Sequence, residues 1–279
     1  MKFGINTTFT DRSTVTPGDY GRAVEDRGFD SIFLAEHTHI PVKEVSPYPF
    51  GDRPASLYHT IDPFVALSVI AATTDRLLLG TGISLVAQRD PITTAKMIAS
   101  LDVVSNGRFI FGIGTGWNAE EMATHGVDPT TRGAVTTEAI LAMKEIWHHD
   151  KAEFHGKFVD FDPIYSWPKP VQLPHPPVYV GGGEKVFPRI VQAGDGWFPN
   201  PESPDGLGPK IERLRALAGR EVPVTVLHVG PAEKDIVAGY AQLDVERVVF
   251  PVDTEAADPL AALEVLAALA AELASVGAH

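Results

Sequence analysis

Phe109–Asn118 reads FIFGIGTGWN. Phe109, Ile110, Phe111 and Ile113 form a short apolar run with the length and residue types of a buried parallel strand. Gly112, Gly114 and Gly116 alternate where that strand must stop, and the polar stretch NAEEMATH from Asn118 predicts a helix start. Glycines let a backbone approach a ligand closely, and the N–H groups of the following helix start suit an anion. A glycine-softened turn with no ligand accounts for the same pattern, because a lone Gly-x-Gly-x-Gly is a weak signal.

Moving outward, strand and helix signals alternate along nearly the whole chain. Phe3–Thr7 is strand-like, and Thr16 with Pro17 gives an N-cap and first position for a helix through Asp26. Ser31–Ala35 predicts the second strand and Leu77–Ser84 the third. A long polar, proline-spotted loop from Glu36 to Thr60 lies between them, and Asp62-Pro63 starts a helix after it. Pro91–Val104 is helical and is closed by Asn106-Gly107. Beyond the opening stretch, Thr136–His148 is helical, Val178–Val180 is the fifth strand and Gly196–Phe198 the sixth. Val224–Val229 and Arg247–Val252 complete the set. About eight strand–helix units of this apolar character predict an α/β fold, a (β/α)8 TIM barrel forming one domain over 1–279. The alternative is an open doubly wound sheet. It would place its glycine-rich turn after the first strand, whereas here the clusters follow the third, fourth and fifth. Asp150–Pro177 departs from the repeat as an aromatic and proline-rich insertion after the fourth strand, expected to form a hairpin and extended loop. Pro199–Pro209 has the composition of a linker or of a barrel loop.

Composition narrows the function classes. The chain has 279 residues, 44% of them apolar, and no cysteine, which removes thiol nucleophiles, thiolate metal sites and disulfides. A formal net charge of −13 argues against nucleic acid as a partner. A phosphorylated small ligand would need local basic groups against that field. Met1–Asn6 runs straight into an apolar strand, so no signal peptide and a cytoplasmic location are expected. No membrane span is expected either: Leu260–Val276 is interrupted by Glu264 and Glu272, and Leu263, Leu266, Leu269 and Leu273 fall on one helical face.

In a barrel, chemistry belongs at the C-terminal strand ends. Those positions are Asn6 and Thr7, Glu36 and His37, Gly82 to Ser84, Thr115 to Asn118, Gly181 to Gly183, Asn200, His228 and Asp253. Glycine and hydroxyls dominate, which suits a large flat cofactor better than a metal. His37 is the candidate for proton transfer, with Glu36 beside it to bias the imidazole. A surface-loop histidine is the competing reading. His37 and His39 form an H-x-H that a metal-dependent hydrolase could use, but the middle strands end in Gly, Thr, Trp or Asn, which leaves a metal short of ligands. A Schiff-base enzyme needs a lysine on a barrel strand, yet Lys96 and Lys144 read as helical and Lys169 and Lys185 lie in or beyond loops, and neither a P-loop nor a G-x-S-x-G elbow is present. Gly181–Gly183 before a helix, with Lys185 and Arg189 close by, is a candidate phosphate cradle.

The sequence resembles the luciferase-like flavin/deazaflavin monooxygenase superfamily, specifically its coenzyme F-420-dependent oxidoreductases. The resemblance rests on FGI at Phe3, AEH at Ala35, LLLGTGISLVAQRDPI from Leu77, NGRFIFGIGTGWNAEE from Asn106, FHGKF, PKPVQLPHPPVYVGGG and GDGWFP. These motifs lie in order over roughly Met1–Asn200. It implies a barrel, usually homodimeric, that binds a reduced flavin or deazaflavin and acts on a small-molecule substrate. A non-prolyl cis peptide at Gly82–Ile83 would form a bulge behind the ring, and His37 would face the reactive carbon as acid/base or orienting group. Thr115, Gly116 and Asn118 would line the ribityl and phosphate side, with Gly181, Gly182 and Gly183 near the phosphate, and Trp117 would be a further cofactor-binding residue. Some deazaflavin relatives carry a carboxylate where this chain has Trp117, which argues against a sugar phosphate and for an apolar or aromatic substrate. Lys43, Arg53 and Arg89 are candidate partners for the acidic tail of F-420. The alternative cofactor is FMN, which implies a monooxygenase supplied by a partner flavin reductase. A catalytically silent flavin-binding relative is the non-enzymatic alternative.

Overall fold

The computed structural model describes residues 1–43 and 45–276. The barrel strands among them are β1 (Lys2–Thr7), β2 (Ser31–Leu34), β3 (Leu78–Thr81) with its continuation β4 (Ser84–Leu85), and β5 (Phe109–Gly114). An antiparallel pair follows, β6 (Lys151–His155) and β7 (Asp160–Tyr165), and the barrel resumes with β8 (Val178–Gly181), β9 (Gly196–Phe198), β10 (Thr225–Leu227) and β11 (Arg247–Pro251). Strand order is β10-β11-β1-β2-β3-β5-β8-β9, and all of these neighbours run parallel. A parallel bridge between Trp197 and Val224 brings β9 against β10 and closes the ring. The expected α/β barrel is the fold.

The helices begin where local chemistry starts them. α1 (Pro17–Asp26) is capped by the Thr16 hydroxyl, which accepts from the Asp19 N–H. α2 (Pro63–Thr73) is capped by Asp62, and α3 (Pro91–Val104) by Asp90. α3 ends where Asn106 and Gly107 both adopt positive φ, 56° and 77°. α4 (Ala119–Thr124) is capped by Asn118 and is followed by α5 (Arg132–His148), which starts four residues before the predicted helix. α6 (Phe187–Ala193), α7 (Pro204–Ala218), α8 (Lys234–Gln242) and α9 (Pro259–Val276) complete the outer layer. Pro199–Pro209 is therefore only partly loop: Ser203 caps α7, and Pro209 is carried inside the helix. Leu263 and Leu266 bury the inner face of α9, with Leu269 and Leu273 packed against the same core. Among the described residues no helix is long and apolar enough to cross a membrane.

Alternation along the strands separates two cores. Phe109, Phe111 and Ile113 of β5, like Ile32 and Leu34 of β2, point outward into the large core beneath the helices. Ile110, Phe33, Tyr179, Phe198 and Val249 point inward and fill the barrel. The N-terminal end is plugged by Arg247, 1% exposed, which donates to Asp30 at 2.9 Å and to Thr225 at 3.2 Å. The Tyr179 hydroxyl donates to the adjoining Glu246 carboxylate at 2.6 Å. With that end sealed, the opposite mouth is left for chemistry.

Candidate active site

The third barrel strand is broken at the mouth. β3 stops at Thr81, β4 resumes at Ser84, and the Gly82–Ile83 peptide between them is cis, as the family resemblance implies. The neighbouring glycines are shaped by this break. A Cβ on Gly112 would collide with the Thr81 carbonyl oxygen, and one on Gly114 with the Ile83 side chain. These two glycines of the opening stretch are thus occupied by the protein's own packing. Gly116 differs, since its φ of 77° is what turns the chain into α4.

Glu36 holds the resumed strand. Its carboxylate accepts from the Ser84 hydroxyl at 2.6 Å, the Leu85 N–H at 2.8 Å and the Arg89 Nε at 2.6 Å. Arg89 also reaches Asp62 at 3.0 Å. Burial pulls the Arg89 pKa down, but the two carboxylates outweigh it and push it up. This corrects the expectation that Glu36 biases His37: past the end of β2 the Glu36 carboxylate is taken up by β4 and Arg89 and makes no bond to the imidazole. Arg89 is likewise committed internally, and Arg53 bonds the Tyr58 hydroxyl and lies over that ring.

His37 finds its carboxylate elsewhere. Its Nδ1 lies 2.9 Å from Glu121 Oε2, and Glu121 Oε1 accepts the Thr38 N–H at 3.2 Å. Glu121 sits three residues after the Asn118 cap, whose Oδ1 accepts the Glu121 N–H at 2.9 Å. The sequence signal was there, since cap plus three is the capping-box position, but that motif predicts a carboxylate folded back on its own helix. The Ala119 N–H is taken by the Ser46 hydroxyl at 3.1 Å. Two of the N–H groups expected to receive an anion at this helix start, those of Ala119 and Glu121, are therefore filled by protein. Thr38 Oγ1 bridges His39 Nδ1 at 2.9 Å and His125 Nε2 at 2.7 Å, so His39 turns away from His37.

An aromatic wall stands over His37. Trp117 meets the imidazole edge to face with ring centroids 5.8 Å apart, and Tyr48 packs on Trp117 at 5.3 Å. Phe50 follows at 5.6 Å from Tyr48. Nothing in the sequence marked Tyr48, which lies in the long loop after β2; the loop is tied to α4 by Ser46 and by the Val45 N–H to Glu120.

Across the mouth, Thr115 joins Arg132, Gly133, Lys185 and Arg189 around a cleft of about 480 Å³. Arg189 donates to Thr137 Oγ1 at 3.0 Å and the Gly133 carbonyl at 2.9 Å, and burial alone lowers its pKa. No carboxylate among the described residues pairs with these three cations. Gly181–Gly183 lies at the same rim, with the Gly182 carbonyl receiving the Trp197 indole N–H at 2.8 Å. Asn6 steadies the bulge from β1 by donating to the Gly82 carbonyl at 3.3 Å. His228 turns inward to the Pro231 carbonyl and the Tyr240 and Phe250 rings, and Asp253 accepts from the Glu255 N–H. Among the described residues, no three His, Asp or Glu side chains come together as a metal ion would require.

Residues 1–239 match the family described as luciferase-like monooxygenase. The chain belongs to that family. It is 40% identical over 284 aligned positions to an uncharacterized protein of Mycobacterium tuberculosis, covering 98% of this chain and 99% of the relative. It is 31% identical over 183 positions to an F-420-dependent glucose-6-phosphate dehydrogenase of Kineococcus radiotolerans, covering 64% of this chain and 50% of that protein. It is 31% identical over 132 positions to an FMNH(2)-dependent dimethylsulfone monooxygenase of Pseudomonas putida, covering 46% and 36%. This luciferase-like protein is an oxidoreductase, and the described residues place a broken strand, a buried His–Glu pair and an unpaired cationic cleft around one barrel mouth.

Proposed function

We propose that this protein moves a hydride between coenzyme F-420 and a small organic substrate. The observation that carries the reading is the unpaired Arg132, Lys185 and Arg189 at the same rim as the Gly82–Ile83 bulge, in a chain of net charge −13. Cations kept free of carboxylates against so acidic a field fit an anionic ligand. Of the two cofactor-dependent relatives, the F-420 enzyme aligns over the larger share of this chain.

The residues fit such a cofactor. Gly82 and Ile83 would back its ring system, with Gly116 and Trp117 beside it and the buried Asn118 supporting them as the cap of α4. Thr115, Gly181, Gly182, Gly183, Lys185 and Arg189 would hold its phosphate. When bound, a deazaflavin supplies a carbon that carries hydride. His37 gives or takes the proton that accompanies hydride transfer at the substrate. Glu36 serves the reaction through the bulge, which it clamps by Ser84 and Leu85. Trp117 and Tyr48 exclude water and favour an apolar or aromatic substrate over a sugar phosphate. A homodimer in the cytoplasm belongs to the same reading.

A second reading, an FMNH2-dependent monooxygenase fed by a flavin reductase, is favoured by the dimethylsulfone monooxygenase relative. Fluorescence titration with F-420 and with FMN separates the two. F-420 binding is expected; binding of FMN alone makes the second reading the right one. His37→Ala is expected to keep cofactor affinity and lose most turnover.

A further inference from the structure

We propose that Glu121 fixes the tautomer of His37, so that Nε2 is the bare, proton-accepting nitrogen at the barrel mouth. The proposal rests on the reading of His37 as the proton-transfer group. Glu121 is a positioning residue in it, acting through the imidazole.

Both oxygens of Glu121 are committed, Oε2 to His37 Nδ1 at 2.9 Å and Oε1 to the Thr38 N–H at 3.2 Å. Its side chain is 1% exposed and stands in the first turn of α4, where peptide N–H groups favour a negative charge. An ionised carboxylate only accepts hydrogen bonds. In the neutral ring the nitrogen facing it must therefore carry the proton, which places the hydrogen on Nδ1 and leaves the lone pair on Nε2. Free imidazole prefers the opposite form, with the proton on Nε2, so this pair works against the intrinsic preference. The other acids nearby are already engaged: Glu36 by Arg89, Ser84 and Leu85, and Glu120 by the Val45 N–H. His39 and His125 pair through Thr38 Oγ1 and do not reach the His37 ring. The main chain that carries the ring is also anchored, because the Thr60 hydroxyl donates to the His37 backbone carbonyl at 2.7 Å. No described protein atom bonds Nε2, which leaves it for the substrate.

Glu121→Gln keeps the shape and inverts the polarity. Its amide oxygen stays on the Thr38 N–H, so its NH2 must face Nδ1, which can then only accept. His37 is driven to carry its proton on Nε2 and meets the substrate as a donor. The experiment is long-range 1H–15N NMR of 15N-histidine protein at a pH where imidazole is neutral, with the His37 signals assigned from His37→Ala. Wild type is expected to show the Nδ1–H form and Glu121→Gln the Nε2–H form. Glu121→Ala, which removes the partner altogether, is expected to relax toward Nε2–H as well. Turnover in Glu121→Gln is expected to fall about 10²- to 10⁴-fold, as when a buried carboxylate behind a catalytic histidine is made an amide, with F-420 affinity unchanged. An Nε2–H form in the wild type, or one tautomer shared by wild type and both variants, overturns the proposal. Because the spectra need no cofactor, a protein that shows the switch yet fails to bind F-420 keeps this inference and loses the cofactor reading.

Discussion

The Ile83 side chain fills the space that a Cβ on Gly114 would need. The broken strand and the glycine-rich strand end beside it are therefore one packing unit, which β4 reinforces by pairing Ser84 with Ile113 and Leu85 with Gly114. Gly114→Ala is expected to push Ile83 out of place and destabilise the fold by about 1–3 kcal/mol, the usual cost of overpacking a tight site. Thermal unfolding checks this, and a melting temperature equal to wild type would contradict it.

Trp117 should govern substrate choice more than cofactor binding. Its ring contacts with His37 and Tyr48 are each of a kind worth about 0.5–1.5 kcal/mol. Trp117→Ala is expected to raise KM for the best apolar substrate in a panel roughly tenfold, the scale of losing one aromatic contact with the substrate. F-420 affinity is expected to change little. A matching loss of cofactor affinity would make Trp117 chiefly a cofactor contact and overturn its role in substrate choice.

Arg189→Ala removes a half-buried cation that has no carboxylate partner among the described residues. F-420 affinity is expected to fall about tenfold, within the range of one charge-assisted hydrogen bond. Lys185→Ala should do less, and its effect should shrink in high salt because exposed charges are screened. Titrations at two ionic strengths measure both. Equal affinity for wild type and Arg189→Ala would take this cleft out of the cofactor site.

The barrel was legible because its signals are local. Apolar runs such as Phe109–Ile113, caps such as Thr16, Asp62 and Asn118, and the stop at Asn106-Gly107 each depend on a few neighbouring residues. Family resemblance located the cis bond at Gly82–Ile83. Pairings between distant residues were not legible. Glu121 lies 84 positions from His37, and its place three residues after Asn118 marks a capping carboxylate and not a partner for a distant imidazole. Glu36 was misjudged for the converse reason, because neighbours in sequence diverge at a strand end. Gly112 and Gly114 looked like room for a ligand, whereas the room belongs to Thr81 and Ile83. Pro199–Pro209 misled because proline is tolerated where Ser203 caps a new helix.

Acid should unfold the protein from its sealed end. Burial pushes the Glu246 carboxyl up, but Arg247 and the hydrogen bonds from Tyr179 and Lys2 outweigh it and hold it below the ordinary value of 4.5. Glu25 is also pushed up by burial and is held low by the Arg76, Asp75 and Leu77 N–H groups. A folded pKa below the unfolded one means that the unfolded chain takes up protons first. The stabilisation is complete above pH 4.5 and is lost as pH falls through the depressed folded values. The urea midpoint is expected to fall steadily below that pH, and less steeply in Glu246→Gln. A midpoint that rises on acidification would contradict the assignment.

β1 is flanked by β2 on one side and by β11 on the other, in register from Lys2↔Arg247 to Asn6↔Pro251. A ribosome delivers these neighbours far apart in time. Between residue 34, where β2 ends, and residue 251, where β11 ends, synthesis at 5–20 residues per second takes roughly ten to forty seconds. Throughout that interval the outer edge of β1 has no strand to bond, and Asp30 waits for Arg247. β1 is made long before its partner β11, so the nascent chain carries an open, sticky edge throughout the synthesis of the segment between them. Chaperone dependence and inclusion-body formation during overexpression should trace to that edge.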